Sequence, residues 1–201
     1  MSDLRLHLGC GPSRLEGWIN VDNVPYPGVD LVTDVREGLA HEGVRFVYAE
    51  HFIEHLAYDD ALELMRECRR VLRDDGVLRL STPNLDWVWA SHYRRELPTT
   101  DIQLLGCFSL NLAFRGWGHQ FLWNFGTLQA TLLDAGFETV KRIGYGESDI
   151  PELRGLERHE QSPDYDGLSH ILIVEATGRG GVVPAAINAP REQYRRDIRV
   201  R

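Results

Sequence analysis

The sequence predicts an α/β sandwich: a sheet of seven strands with helices between them. Three observations carry that expectation. Short apolar runs alternate with stretches of helical spacing from the first residues onward. The first run opens into a turn with glycines at alternate positions, Gly9 and Gly11. The next two runs each lead to an aspartate, Asp22 and Asp34.

In chain order, residues 4–8 (LRLHL) read as the first strand and residues 18–21 (WINV) as the second. Residues 29–32 form the third and residues 44–49 the fourth, which runs into Glu50 and His51. Ala61, Leu62, Met65, Cys68, Arg69, Val71 and Leu72 recur at helical spacing, with Asp74, Asp75 and Gly76 as the expected stop. Residues 77–80 are the fifth strand, broken at Pro83. Residues 85–125 hold four of the five tryptophans and four of the seven phenylalanines without a clear period, and read as an insertion. A helix over 127–135 ends at Gly136, and residues 137–143 and 170–175 are the last two strands. Residues 144–169 are expected to be a long loop. The domain thus spans 1–177, and 178–201 is a basic linker and tail, with residues 191–201 a short charged helix or a disordered arm.

The composition supports one domain and narrows its partners. The chain has 201 residues, 43% apolar and 26% charged, close to the globular average. Thirty acids against 22 basic residues give a net charge of −8. The last 24 residues hold six arginines and two acids, so the tail is +4 and the rest −12. That field disfavours nucleic acid. No apolar run approaches the roughly 20 residues that cross a bilayer, and residues 1–5 lack a basic start followed by an apolar stretch. The expectation is a soluble, cytoplasmic protein with no membrane partner. Oligomeric state is open. Cys10, Cys68 and Cys107 are too few and too scattered for a disulfide framework.

The chemistry begins at the glycine turn. Alternate glycines after a strand let the backbone turn tightly and approach a ligand without intervening Cβ atoms. The nicotinamide fingerprint needs a third glycine at position 14, where Arg14 stands. In an open parallel sheet, ligands bind beyond the carboxyl ends of the strands. Asp22 and Asp34 lie on that edge: Asp22 is suited to ribose hydroxyls and Asp34 to an adenine amino group. Both are also residues that simply terminate strands.

Taken together these residues resemble the class I S-adenosylmethionine-dependent methyltransferases. Residues 6–12 (LHLGCGP), Asp22, Asp34 and Val35, 50–56 (EHFIEHL) and 66–84 (RECRRVLRDDGVLRLSTPN) look like that family's segments in order and spacing. So do 119–121 (HQF), 127–129 (TLQ) and 133–137 (LDAGF), and the likeness spans residues 4 to about 176. Only eleven positions separate Gly11 from Asp22, where the family usually has a full helix. That resembles a compact subgroup of predicted methyltransferases associated with polysaccharide and glycan pathways, and leaves room for about one helical turn.

The resemblance implies a Rossmann-like, doubly wound sheet of seven strands with helices on both faces and the last strand antiparallel. It implies S-adenosyl-L-methionine as cofactor and S-adenosyl-L-homocysteine as product. Leu8, Gly9, Cys10 and Gly11 would face the methionine and ribose. Asp22 would hold the ribose, Asp34 and Val35 would contact adenine, and Glu50 and His51 would border the methyl group. The acceptor is expected to be a small molecule, a sugar or glycan precursor being the leading choice, methylated on oxygen or nitrogen.

Other constellations compete. Trp87, Trp89, Tyr93, Trp117 and His119 are the candidate acceptor-binding residues, because indole and phenol rings offer flat apolar faces with a polar edge. Phe121 and Phe125 are expected in the core. Histidine changes protonation nearest neutral pH, so His119 is the first candidate base, with His55, Glu50 and His92 behind it. His51, Glu54 and His55 spell H-x-x-E-H, an inverted zinc-protease pattern, but His51 falls at a strand–helix junction and no metal is expected. Cys10 as nucleophile is set aside, and Cys68 is read as core. Arg154, Arg158 and His159, interleaved with Glu152, Glu157 and Glu160, read as solvated surface. A non-catalytic binding module of the same fold and a nicotinamide oxidoreductase are the alternative functions.

Overall fold

A computed structural model describes residues 3–93, 100–159 and 161–198. Glu160 and the end of the tail, residues 199–201, lie outside them, as do residues 94–99 of the aromatic stretch.

Seven strands form one sheet: β1 (Arg5–Leu8), β2 (Ile19–Asp22), β3 (Leu31–Val32), β4 (Val44–Glu50), β5 (Leu72–Pro83), β6 (Thr139–Ile143) and β7 (Ile171–Thr177). Their order is β3-β2-β1-β4-β5-β7-β6, and β7 runs antiparallel to both of its neighbours. Strand β1, which leads into the glycine turn, lies between β2 and β4 and runs parallel to both, so the carboxyl ends of β1, β2 and β4 meet at one edge.

Side-chain alternation divides the sheet into two faces. Leu6, Leu8, Val47, Ala49, Leu78, Leu80, Leu172 and Val174 point to the larger core. Over it lie α1 (Tyr58–Val71), which buries Ala61, Leu62, Met65 and Cys68, and α4 (Phe125–Asp134), which buries Leu128 and Leu132. Asn124 caps α4 by accepting from the Thr127 N–H at 3.0 Å. Phe121 and Phe125 pack against this core, as expected.

The opposite face has a thinner cover. Phe46, Tyr48 and Val77 pack against Leu15 and Trp18 from the β1–β2 link and Leu153 and Leu156 from the late loop, which carries the 3-10 helix Pro151–Leu153. The link from residue 10 to 18 holds turns and no helical turn. Asn20 stands in for the missing helix. Its buried amide accepts from the Leu15 N–H at 2.8 Å and donates to the carbonyls of Leu15 and Trp18.

A buried ion triad fastens the late loop to this face. Arg79 is wholly enclosed, bonded to Glu157 at 2.8 Å and Glu175 at 2.6 Å. Glu157 is therefore not a solvated charge, contrary to its reading in sequence. It faces an arginine on a strand, a partner that local charge pattern does not show.

Two elements depart from expectation, and the tail takes the helical one of its two expected forms. Helix α1 ends at Val71 and passes directly into β5, so Arg73 to Gly76 bulge within the strand: Val44 pairs with Leu72 and Phe46 already with Val77. The aromatic stretch contains two helices, α2 (Leu85–His92) and α3 (Thr100–Arg115), and α3 buries no side chain. They pack closely where a Cβ on Gly106 would stand 2.6 Å from the His92 carbonyl oxygen. The tail forms α5 (Asn188–Ile198) against the body: Arg195 bonds Asp59, Arg191 bonds Asp134, and Tyr194 packs on Tyr58 and Phe121.

Candidate active site

The strand ends place six of the nine predicted cofactor residues around a cavity of about 490 Å³. Gly9 and Gly11 both have positive φ, 60° and 52°. A Cβ on Gly9 would lie 2.3 Å from the Phe52 ring, whereas one on Gly11 would meet nothing within 4 Å, so the turn is open there. Asp22 accepts from the Gly11 N–H at 2.8 Å through one oxygen and from the Val24 N–H at 2.9 Å through the other. Each oxygen keeps a second lone pair for a ligand. Asp34, Val35 and Arg36 form the far wall. The Arg36 guanidinium and backbone N–H hold the Asp34 carboxyl down to about 2, so it is an anion already engaged by Arg36.

Gly9, Gly11, Asp22, Asp34, Val35 and His51 line the cavity, and Leu8, Cys10 and Glu50 do not. Leu8 belongs to the main core. Cys10 is buried, its N–H bonded to Val21, and burial with the Asp22 charge pushes its thiol up to about 11. Glu50 shares the strand face of Phe46 and Tyr48 and turns toward the late loop. Its Oε1 accepts from the Arg158 N–H at 2.8 Å and the His159 N–H at 3.0 Å. Burial raises its carboxyl, but those two N–H groups and the His159 ring outweigh burial and hold it below the ordinary range.

Sequence reasoning missed Asn23, Val24, Tyr26, Phe52, Asp60 and Gln120 in the cavity wall. Phe52 was visible as one of the three apolar residues of the segment 50–56. Gln120 stands in the quoted segment 119–121, but its partner His55 lies 65 positions earlier, so the segment alone does not show the contact.

A second cavity, about 550 Å³, adjoins the first and shares His51 and His55 with it. Trp87, Trp117 and His119 line it together with His92, His159 and His170. Trp89 and Tyr93 stack on each other at 4.5 Å, exposed, and line neither cavity. Trp87 is held by the Pro163 carbonyl and the His170 ring. His119 follows a left-handed turn at Trp117 (φ 54°) and Gly118 (φ 83°).

The two cavities meet where residues 53–55 contact residues 119–121. The Gln120 side chain donates to the His55 carbonyl, and the N–H groups of Gln120 and Phe121 to the Glu54 carbonyl. His119 Nδ1 lies 2.7 Å from the Ala113 carbonyl. A carbonyl only accepts, so the proton sits on Nδ1, and Nε2 of the neutral ring carries the lone pair. Residues Ile53–His55 form a 3-10 turn, and His51 stands at φ 45°. The H-x-x-E-H spacing therefore does not place His51 and His55 on one α-helical face.

No family model matches the sequence, and no curated protein matches it. Solved structures do. YcgJ from Bacillus subtilis superposes with a TM-score of 0.55 at 15% identity, over 90% of this chain and 94% of that one. A TehB-like S-adenosylmethionine-dependent methyltransferase from Corynebacterium glutamicum gives 0.52 at 16%, over 89% and 81%. The CcbJ methyltransferase from Streptomyces caelestis gives 0.55 at 13%, over 89% and 84%.

The fold is that of the class I methyltransferases. Within the class I fold, the glycine turn, Asp22 and Asp34 stand together at the strand ends, as the sequence implied. No helix among the described residues is long and apolar enough to cross a membrane.

Proposed function

We propose that the chain transfers a methyl group from S-adenosylmethionine to a small-molecule acceptor, on oxygen or nitrogen. The observation that carries this reading is the pair of adjoining cavities with a common wall at His51 and His55. One has the glycine turn and carboxylates of a nucleoside site, and the other has indoles and imidazoles suited to an acceptor.

The cofactor fits the first cavity. The missing Cβ of Gly11 leaves room against the backbone, and Asp22 keeps lone pairs for ribose hydroxyls. Bound there, the cofactor supplies an electrophilic methyl carbon. The protein's part is to align the acceptor, exclude water and receive a proton. Trp87 and Trp117 provide flat surfaces for an acceptor of sugar size, and Nε2 of His119 takes the proton from its hydroxyl or amine.

Calorimetric titration with S-adenosylmethionine, S-adenosylhomocysteine and NADH tests the first step. Micromolar binding of both adenosyl ligands without an NADH signal supports the reading, and NADH binding alone overturns it. An acceptor screen reading release of S-adenosylhomocysteine then separates an enzyme from a binding module.

A further inference from the structure

We propose that Glu54, His55 and His119 form a binding site for a divalent transition-metal ion of the zinc class, at the junction of the two cavities. Each residue offers one ligand atom, and the three atoms lie within 4.8 Å of one another. Metal–ligand bonds of about 2.0–2.2 Å place tetrahedral ligand atoms roughly 3.3–3.5 Å apart, so small side-chain rotations close the set.

Two further observations point to a cation. The first is the state of Glu54. Its side chain is wholly buried; one oxygen accepts from the Thr82 hydroxyl at 3.0 Å, and the other, Oε1, makes no hydrogen bond. His51 Nδ1 lies 3.1 Å from Oε1, within ion-pairing reach but without hydrogen-bonding geometry, and the His51 ring also stacks on His159. A buried carboxylate oxygen without a donor is costly unless a positive charge stands beside it.

The second is the orientation of His119. Metal-bound imidazoles characteristically donate their other ring N–H to a carbonyl or carboxylate, which fixes the ring and bares the ligating nitrogen. The Nδ1 bond to Ala113 does this for His119. His55 is brought alongside by the Gln120 bridge, its ring centroid 5.0 Å from that of His119. Gly118 allows the approach: a Cβ there would stand 3.8 Å from His55 Nδ1, and the positive φ of 83° is glycine's.

Two imidazoles and one carboxylate select zinc-class ions over calcium or magnesium. His55 and His119 also line the acceptor-side cavity, so the ion's remaining positions open toward a ligand with oxygen or nitrogen donors. The site does not depend on methyl transfer. Where both hold, His119 serves the metal-loaded protein as a ligand, and the ion replaces it in activating the acceptor.

The test is calorimetric titration of the metal-stripped full chain with Zn²⁺, without any adenosyl ligand. One equivalent per chain is expected, with His55→Ala and His119→Ala each weakening it at least 10-fold. His92→Ala and His170→Ala, which remove histidines from the same cavity but outside the set, leave the affinity unchanged. Because Glu54→Gln alters a buried group, Co²⁺ provides a second readout: an intense visible spectrum in the parent that both histidine variants lose. Absence of stoichiometric binding overturns the site. So does an affinity that His92→Ala reduces as much as His119→Ala, or that neither ligand variant changes.

Discussion

The Gly11 N–H and the Asp22 carboxylate meet at 2.8 Å, tying the glycine turn after β1 to the end of β2. The carboxylate therefore both shapes the turn and stands in the cavity beside it. Asp22→Ala leaves the N–H groups of Gly11 and Val24 without their acceptor, at about 1–3 kcal/mol. It is also expected to weaken S-adenosylmethionine by tenfold or more in a calorimetric titration. Unchanged affinity would remove Asp22 from the nucleoside site, whatever the stability did.

Gly9→Ala tests the turn from the other side. At φ 60° any side chain is strained, by about 1–2 kcal/mol for alanine, and this Cβ would also overlap the Phe52 ring. Denaturant midpoints should show Gly9→Ala costing about 1–2 kcal/mol less in a Phe52→Ala background than in the parent. Equal costs in both backgrounds would mean that the ring simply swings away.

Arg79→Met should be among the most destabilising substitutions on the sheet. It leaves Glu157 and Glu175 buried without their cation, a loss of about 3–5 kcal/mol. Urea unfolding measures it, and a loss below about 1 kcal/mol would show that the carboxylates take up protons or reach water. The triple variant Arg79→Met, Glu157→Leu, Glu175→Leu should regain much of the loss, because no charge then remains enclosed.

Stability should fall as the pH drops below the ordinary histidine value. Burial holds the His7 imidazole below that value; the ring stacks on Tyr48 and bonds the Asn20 amide oxygen at 3.2 Å. The unfolded chain then binds the proton more readily than the folded one. The loss accordingly begins as pH falls through about 6.5 and is complete below the folded-state value. His92 and His170 are lowered by burial as well and add in the same direction. Denaturant midpoints from about pH 8 to pH 5 should show the slope, reduced in His7→Phe; an identical slope in that variant would clear His7.

How much of this was legible in the sequence can be judged at particular residues. The strands were, because a buried parallel sheet needs apolar runs of strand length and each is punctuated by glycine, proline or aspartate. Asp22 and Asp34 were legible from position alone, since strand ends fix where a side chain must stand. Glu50 was misplaced although its parity was available: counted in twos from Phe46 through Tyr48, it falls on the face away from the cavity. Helices α2 and α3 escaped notice because α3 turns no stripe of residues into a core. Phe108 and Leu105 are 74% and 66% exposed, so the period that marks an amphipathic helix is absent. The segments 50–56 and 119–121 were each visible, but the convergence of Glu54 and His55 on His119 was not, being made by long-range bonds through Gln120.

The sheet order also sets a timetable for the chain as it leaves the ribosome. Strand β7 lies between β5 and β6 but is made after both. Until residue 177 has emerged, β6 has no neighbour and the outer side of β5 is an open edge of paired-in-waiting N–H and carbonyl groups. Such an edge templates association with other chains. Any assembly of the first five strands before residue 177 is available would leave that side of β5 unpaired. Arg195, whose bond to Asp59 spans 136 positions, ties α5 back to α1 and lies later in the chain than every strand of the sheet.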